Sequence, residues 1–462
     1  MLKHLKYLLF LQLVIIFSGF SLAQKYGIST HKLDNGLEVI VVENHSVPLV
    51  TVELDVKNGS YTESPEYDGL SHLYEHMFFK ANASIPNQEA YMERLRELGA
   101  TFNGTTSEER VNYFITFPKD SLEQGMVFMY NAVTSPLFLE DELVNERPVV
   151  TGEYDRNEAN PFFHLNREVS KRVWWKYYSR KNVIGDREVI LSTTPEKMKT
   201  IQHRFYIPNN SALLLAGDIT PEEGFALAEK IFSGWERGPN PFDEYKIPEH
   251  PPIPKNEVVV VEKPVNAITM MYEWQGPSVG KDPKSTYAAD VLSFILGQQT
   301  SKFHKDLVES GFALGVNFGY YTLNHTGPIT LFAQTTPDKF DACQKALFKE
   351  LDKMVSDPDY FTDEQLENAK TILAINEQYS RETASQFVHT VGFWWAVAGL
   401  DYYLNYIDNL KKVTREDITN YLETYVKNKN YVLGVLTSPE NAEKVDLTLN
   451  IKKGELKNDI EK

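Results

Sequence analysis

His72-Leu73-Tyr74-Glu75-His76 places two imidazoles and one carboxylate within little more than one helical turn. With about 3.6 residues per turn, positions i, i+3 and i+4 share a face, so both rings can reach one ion while the carboxylate stands beside them. Neutral imidazole suits Zn²⁺, and a catalytic zinc takes three protein ligands and leaves a fourth position for water. Water held there is acidified to a pKa near ~7, and a carboxylate that does not bind the metal can take its proton. His72 and His76 are thus candidate ligands, and Glu75 is the candidate base. The order H-x-x-E-H is the inverse of the H-E-x-x-H zinc motif.

Two histidines need a third ligand, and a Glu-rich stretch follows from Glu140 to Glu153. Glu146 and Glu153 are seven residues apart, nearly two helical turns, so both project from one face. One can bind a metal while the other supports the site from behind. Pro148 and Gly152 disturb that reading, since proline lacks the backbone N–H and glycine costs about 1 kcal/mol in a helix interior. The helix is expected either to begin near Pro148 or to bend there.

His72 to His76 followed by Glu146 and Glu153 resembles the insulinase or pitrilysin family of zinc peptidases, which includes the mitochondrial processing peptidase. The resemblance extends to Leu33-Asp34-Asn35-Gly36-Leu37 with Val39 to Val42, and to Phe205-Tyr206-Ile207-Pro208-Asn209-Asn210 with Gly217-Asp218. It implies that Glu153 is the third zinc ligand, one Zn²⁺ being bound per subunit, and that Glu146 has a supporting role in catalysis beside the metal. It also implies an α+β fold of two related domains, each an antiparallel-dominated sheet packed by helices.

Residues 1–23 read as a signal peptide, with Lys3 and Lys6, an apolar run from Leu8 to Phe17, and Ser21-Leu22-Ala23 as a cleavage site. That run is too short to span a bilayer, which needs about 20 residues. The expectation is export to the periplasm with no stable membrane span after cleavage. The single cysteine, Cys343, excludes an intramolecular disulfide, and its amphipathic surroundings make it a packing residue. A formal charge of −17 argues against nucleic acid and anionic membranes as partners.

Six prolines between Pro239 and Pro254 mark an inter-domain linker. The division is an N-terminal zinc domain over 24–238, a linker over 239–256, and a related non-catalytic domain over 257–462. The same order of strand, strand, loop and helix recurs on each side. In the first half it runs Glu38 to Val42, Leu49 to Val56, then Leu70 onward, and in the second Glu257 to Val261, Ala267 to Trp274, then Thr286 to Leu296. The second helix carries no histidine pair.

Peptide substrates are implied by the resemblance, received by strand addition at an edge strand around Ala100 to Thr106, with Asn103 and Thr105 as candidate substrate-binding residues. From the residues alone, Asn103-Gly104 reads equally well as the turn of an ordinary hairpin. Active relatives also use an Arg and a Tyr seven residues apart in a C-terminal-type domain. The matching stretch, Leu307 to Gly315, has neither: Val308 stands at the arginine position and Leu314 or Gly315 at the tyrosine position. This points to the catalytic subunit of a two-subunit zinc endopeptidase that cleaves peptides or unfolded segments in a closed chamber. A related subunit would supply Arg and Tyr in a heterodimer, in preference to a homodimer. The alternative is a non-hydrolytic scaffold or peptide-binding subunit of the same fold.

Overall fold

The computed structural model describes residues 26–445 and 458–461, so the 1–23 segment lies outside it. Two six-stranded sheets organise the chain. The first contains β1 (Ile28–Lys32), β2 (Glu38–Glu43), β3 (Leu49–Val56), β4 (Thr101–Thr106), β5 (Val111–Pro118) and β6 (Ser211–Gly217), in the order β1-β2-β6-β3-β5-β4. Only β2 and β6 run parallel, and β6 is buried along its whole length. A strand covered on both faces reads as a continuous apolar run, as Ala212-Leu213-Leu214-Leu215-Ala216 does. β4 is the edge.

The second sheet repeats this arrangement with β7 (Glu257–Glu262), β8 (Ile268–Gln275), β9 (Gly315–Tyr320), β10 (Pro328–Thr335), β11 (Val432–Thr437) and β12 (Asn458–Glu461), in the order β12-β7-β11-β8-β10-β9. β7 and β11 form its parallel pair, as β2 and β6 do in the first. The outer strands differ: β1 lies antiparallel to β2, whereas β12 lies parallel to β7. The chain is therefore two related α+β domains.

The helices used below are α1 (Leu70–Phe78), α2 (Leu122–Thr134), α3 (Glu140–Glu158), α4 (Pro161–Val173), α5 (Pro221–Phe232), α6 (Pro283–Gly297), α7 (Phe340–Ser356), α8 (Ala384–Val397) and α9 (Arg415–Tyr425). α1, α2 and α5 cover one face of the first sheet, and α6, α7 and α9 share a core with the corresponding face of the second. The opposite faces are covered by exchange. α4, from the first half, buries Leu165, Val169 and Val173 against Val259, Val261, Val432 and Leu436 of the second sheet. α8, from the second half, buries Phe387, Val388, Val391 and Trp395 against Ile40, Val42, Ala212 and Leu214 of the first. Each half thus completes the other's core.

The proline-rich stretch contains a short helix, Pro241–Glu244, and Ile253 is buried with Trp174 and Val259. α3 does not begin near Pro148, one of the two alternatives expected, but runs through it as one helix. The carbonyl deprived of a partner by Pro148 belongs to Val144, and both residues lie on the exposed face, where water can replace the lost bond. Cys343 is fully buried among apolar residues and its thiol is pushed up to about 11 by that burial, in keeping with a packing role.

The exchange of α4 and α8 predicts a single cooperative unfolding transition in denaturant. Leu165→Ala should lower stability by about 2–5 kcal/mol without splitting that transition. Separate unfolding of the two sheets, resolved by hydrogen exchange, would contradict the coupling.

A candidate metal centre beside an edge strand

The start of α1 is held by a side chain outside the H-x-x-E-H string. Glu63 accepts hydrogen bonds from the backbone N–H groups of Gly69 and Ser71, at 2.7 and 2.6 Å. Burial pushes its carboxyl up to about 8, while those two donors pull it down. Gly69 has φ of 89°, and a Cβ there would stand 2.5 Å from the Cα of Gly185, so the entry to α1 is fixed by a backbone-to-backbone approach.

α1 then presents His72, Glu75 and His76 together, with side-chain donors within 4.8 Å of one another. Glu153 of α3 joins them: its Oε2 lies 3.5 Å from His72 Nε2 and 3.8 Å from His76 Nε2. Ligands held about 2.0–2.2 Å from a tetrahedral ion stand roughly 3.3–3.6 Å apart, so this spacing suits a shared ion better than a hydrogen bond. Proximity alone does not separate Glu75 from Glu153, but their other partners do. Glu75 Oε2 accepts from Thr106 Oγ1 at 3.3 Å, and a Cβ on Gly104 would meet Glu75 Oε1 at 2.7 Å. Glu75 is therefore pressed against β4, whereas Glu153 Oε2 stands between the two rings and its Oε1 accepts from Arg156 at 3.3 Å.

Glu146 sits behind His76. Its Oε1 is 2.8 Å from His76 Nδ1 and its Oε2 is 2.5 Å from Lys80 Nζ. A carboxylate on Nδ1 leaves Nε2 free to face an ion, the usual means of setting a ligand's tautomer and direction. Pro148 leaves this placement undisturbed because α3 continues through it.

The electrostatics follow from burial. His72 is held down to about 4 by burial and then by the neighbouring His76, so its ring is neutral at ordinary pH. Burial also works to lower His76, but the Glu146 hydrogen bond and the charges of Glu75, Glu146 and Glu153 raise it overall. The Glu75 carboxyl is raised, with burial as the main cause. His72 Nδ1 is buried with no hydrogen-bond partner among the described residues, so the two rings are supported unequally.

Two residue matches locate this centre in a family. Residues 38–186 match "Insulinase (Peptidase family M16)" and residues 192–373 match "Peptidase M16 inactive domain". The chain belongs to the insulinase family, M16. H-x-x-E-H lies in the first match, and the "inactive domain" match covers much of the half without a histidine pair. An "Uncharacterized zinc protease" of Rickettsia felis is 24% identical over 378 residues, covering 81% of this chain and 89% of that protein. A protease of Helicobacter pylori superposes with a TM-score of 0.77 at 22% identity, covering 88% of this chain and 99% of that one. The periplasmic protease PqqL of Escherichia coli superposes with a TM-score of 0.73 at 18% identity, covering 92% of this chain and 49% of that one. This chain spans about half the length of that last protein.

β4 has the expected edge position, with Asn103-Gly104 inside the strand rather than at a turn; the reversal to β5 comes at Ser107 to Arg110. Asn103 and Thr105 point away from the metal helix. Gly104 and Thr106 face Glu75, and alternation along a strand sends Asn103 and Thr105 to the opposite face, where Thr105 Oγ1 bonds to Asn112 Oδ1. These two side chains therefore do not meet the His72 cluster, although the backbone of their strand borders it. Glu63, Lys80, Gly104 and Thr106 were not singled out from sequence. Lys80 follows His76 by four residues, a spacing that could have flagged it; the other three depend on contacts between segments.

Glu63→Ala should reduce stability by about 1–3 kcal/mol, because it leaves two buried N–H groups without their acceptor. Denaturant unfolding checks this, and an unchanged midpoint would show that the start of α1 is held by other means.

Proposed function

We propose that this chain is a zinc-dependent endopeptidase acting on peptides or unfolded segments, with one Zn²⁺ per subunit held by His72, His76 and Glu153. The observation that carries the reading is the approach of Glu153 Oε2 to both Nε2 atoms while Glu75 is kept against the edge strand. Two imidazoles and a carboxylate are a common donor set for catalytic zinc. Zinc in that position supplies Lewis acidity to the scissile carbonyl and acidifies water. The remaining steps belong to the protein. Glu75 takes a proton from the attacking water and passes it to the leaving amine nitrogen, and its raised pKa suits both transfers. Glu146 holds His76 in one tautomer, and β4 offers backbone N–H and C=O groups to an extended peptide beside Glu75.

A second subunit completes the proposal. Val308 is packed partly into the second core and Leu314 is 60% exposed, so the Leu307 to Gly315 stretch offers apolar side chains where active relatives place Arg and Tyr. The chain covers only half of PqqL, in keeping with a paired arrangement. The partner is a related subunit carrying Arg and Tyr. A periplasmic location is supported by the reading of residues 1–23 and by the likeness to the periplasmic protease PqqL; no helix among the described residues is long and apolar enough to cross a membrane. The non-hydrolytic alternative keeps the fold but leaves Glu75 without a task.

Glu75→Gln should retain zinc and lose at least about 10²-fold in hydrolysis of a fluorogenic peptide. His76→Ala should lose zinc. Full metal content in His76→Ala, or near-normal cleavage by Glu75→Gln, would refute the assignment. Zinc affinity should fall as the pH drops and His76 protonates: its raised pKa makes proton competition begin at higher pH than for a free imidazole, and each pH unit below that pKa costs about tenfold. A chelator competition series reads this directly. Adding a related subunit with Arg and Tyr should raise peptidase activity at least about tenfold, since such donors are commonly worth 10²–10³ in rate. Full activity of the chain alone, unaltered by that subunit, would remove the two-subunit proposal.

A further inference from the structure

The duplication offers an internal comparison. Asp55 and Glu273 occupy equivalent positions, since they pair with Ala212 and Val432, which pair in turn with Glu38 and Glu257. On their other side they pair with Asn112 and Thr330. By that register Glu53 and Phe114 of the first sheet become Met271 and Phe332 of the second.

In the first sheet this spot is closed by polar groups. The ring of His389, from the exchanged helix α8, lies 4.2 Å from that of Phe114, and its Nδ1 is bonded to the buried Glu53, which also accepts from Asn112. In the second sheet the spot is open. The exchanged helix there, α4, comes down on β11, where a Cβ on Gly434 would meet Leu165 Cδ1 at 2.5 Å. Its first turn leaves a cavity of about 400 Å³ against Met271 and Phe332. Phe162 forms a wall of that cavity, 39% exposed, with its ring centroid 6.0 Å from that of Phe332. The polar part of the lining consists of the amides Asn157, Asn160 and Asn166, all exposed, and no charged side chain lines the cavity among the described residues.

Chemistry, size and place together say what fits. Aromatic rings pair favourably at centroid distances of about 4.5–7 Å, so a third ring can join Phe162 and Phe332. A charged group entering there would lose water and find no counter-charge. The volume lies near the lower end of the range for ligand pockets, room for a side chain, whereas a protein partner needs a face of about 800 Å². Asn157 stands one turn beyond Glu153 on α3, roughly 6 Å along the helix axis, a distance that an extended peptide covers in about two residues.

We propose that this cavity is a specificity subsite that receives an aromatic side chain of the peptide, roughly two residues from the bond to be cleaved. The proposal rests on the peptidase reading given above. Phe162, Phe332 and Met271 hold the ring, and the amides leave the mouth neutral.

The test uses the zinc-loaded full mature chain carrying Glu75→Gln, which holds peptide without cutting it. Fluorescence anisotropy is read with three labelled decapeptides of Ser, Thr and Ala that differ only in a central Phe, Ala or Lys. The Phe peptide should bind at least about tenfold more tightly than the other two, the discrimination typical of an apolar pocket. Phe162→Ala should remove most of that advantage, and Phe332→Leu should reduce it in the same direction. Phe162 is exposed and Phe332→Leu keeps an apolar side chain, so zinc content, circular dichroism and affinity for the Ala peptide should match the parent in both. Equal binding of the three peptides, or a Phe preference that both variants keep, would overturn the subsite and leave the metal centre as read. Failure of every peptide to bind would count against the peptidase reading and remove the subsite with it. Self-association of the chain that Phe162→Ala abolishes would assign the aromatic pair to an interface between copies, which also overturns the proposal.

Discussion

The helix that carries His72, Glu75 and His76 must lie directly on the edge strand, and this depends on there being no side chain at position 104. The Glu75 carboxylate occupies the space that a Cβ there would take, and Thr106 two residues later donates to its other oxygen. The contact holds Glu75 against β4 while its carboxylate stays within 4.8 Å of the donor atoms of the two histidines. It also brings α1 close enough for α3, packed on its other side, to deliver Glu153 to both rings. A larger residue at 104 would displace the proposed base before it touched any proposed ligand.

Charge is handled in the same neighbourhood by pairing rather than by exposure. Glu146 and Lys80 are buried, and removing two charges from water costs several kcal/mol per ion before their attraction is counted. Such a pair contributes little net stability. Its value lies in direction: Lys80 and His76 hold the two oxygens of Glu146, and Glu146 in turn holds Nδ1 of His76. His72 has no equivalent support, so the two imidazoles differ in basicity although they stand one turn apart.

Beyond the centre, the two domains are bound by more than the exchanged helices. Glu109, in the turn after β4, accepts from the backbone N–H groups of Asn324 and His325, each at 2.7 Å, in the loop before β10. Lys181 donates to the carbonyls of His325 and Thr326, at 3.0 and 2.8 Å. The edge hairpin of one sheet is thereby tied to that of the other, and the geometry of β4 depends on the second domain even though that domain supplies none of the clustered metal-site residues. The polar face behind β4 adds a further tie, because Glu53 on β3 is bonded by both Asn112 and His389 of α8.

His72, Glu75 and His76 were legible in sequence because helical periodicity alone puts i, i+3 and i+4 on one face. The α+β duplication was legible for a similar reason: the apolar strands around Val39 and Val258 recur in the same order, each followed by a second strand and a helix. Glu146 and Glu153 were found by spacing and resemblance, while the continuity of α3 through Pro148 depended on which face of the helix meets water. The tertiary structure decided the rest. Alternation along β4 placed Asn103 and Thr105 on the face away from the metal helix, a parity set by pairing with β5 and by which side α1 packs. Glu63, Gly104 and Thr106 act on α1 from other segments, and the exchange of α4 and α8 joins surfaces that are distant in the chain. Local periodicity is written in neighbouring residues; contact between distant segments is chosen only when both sheets have formed and their apolar faces need covering.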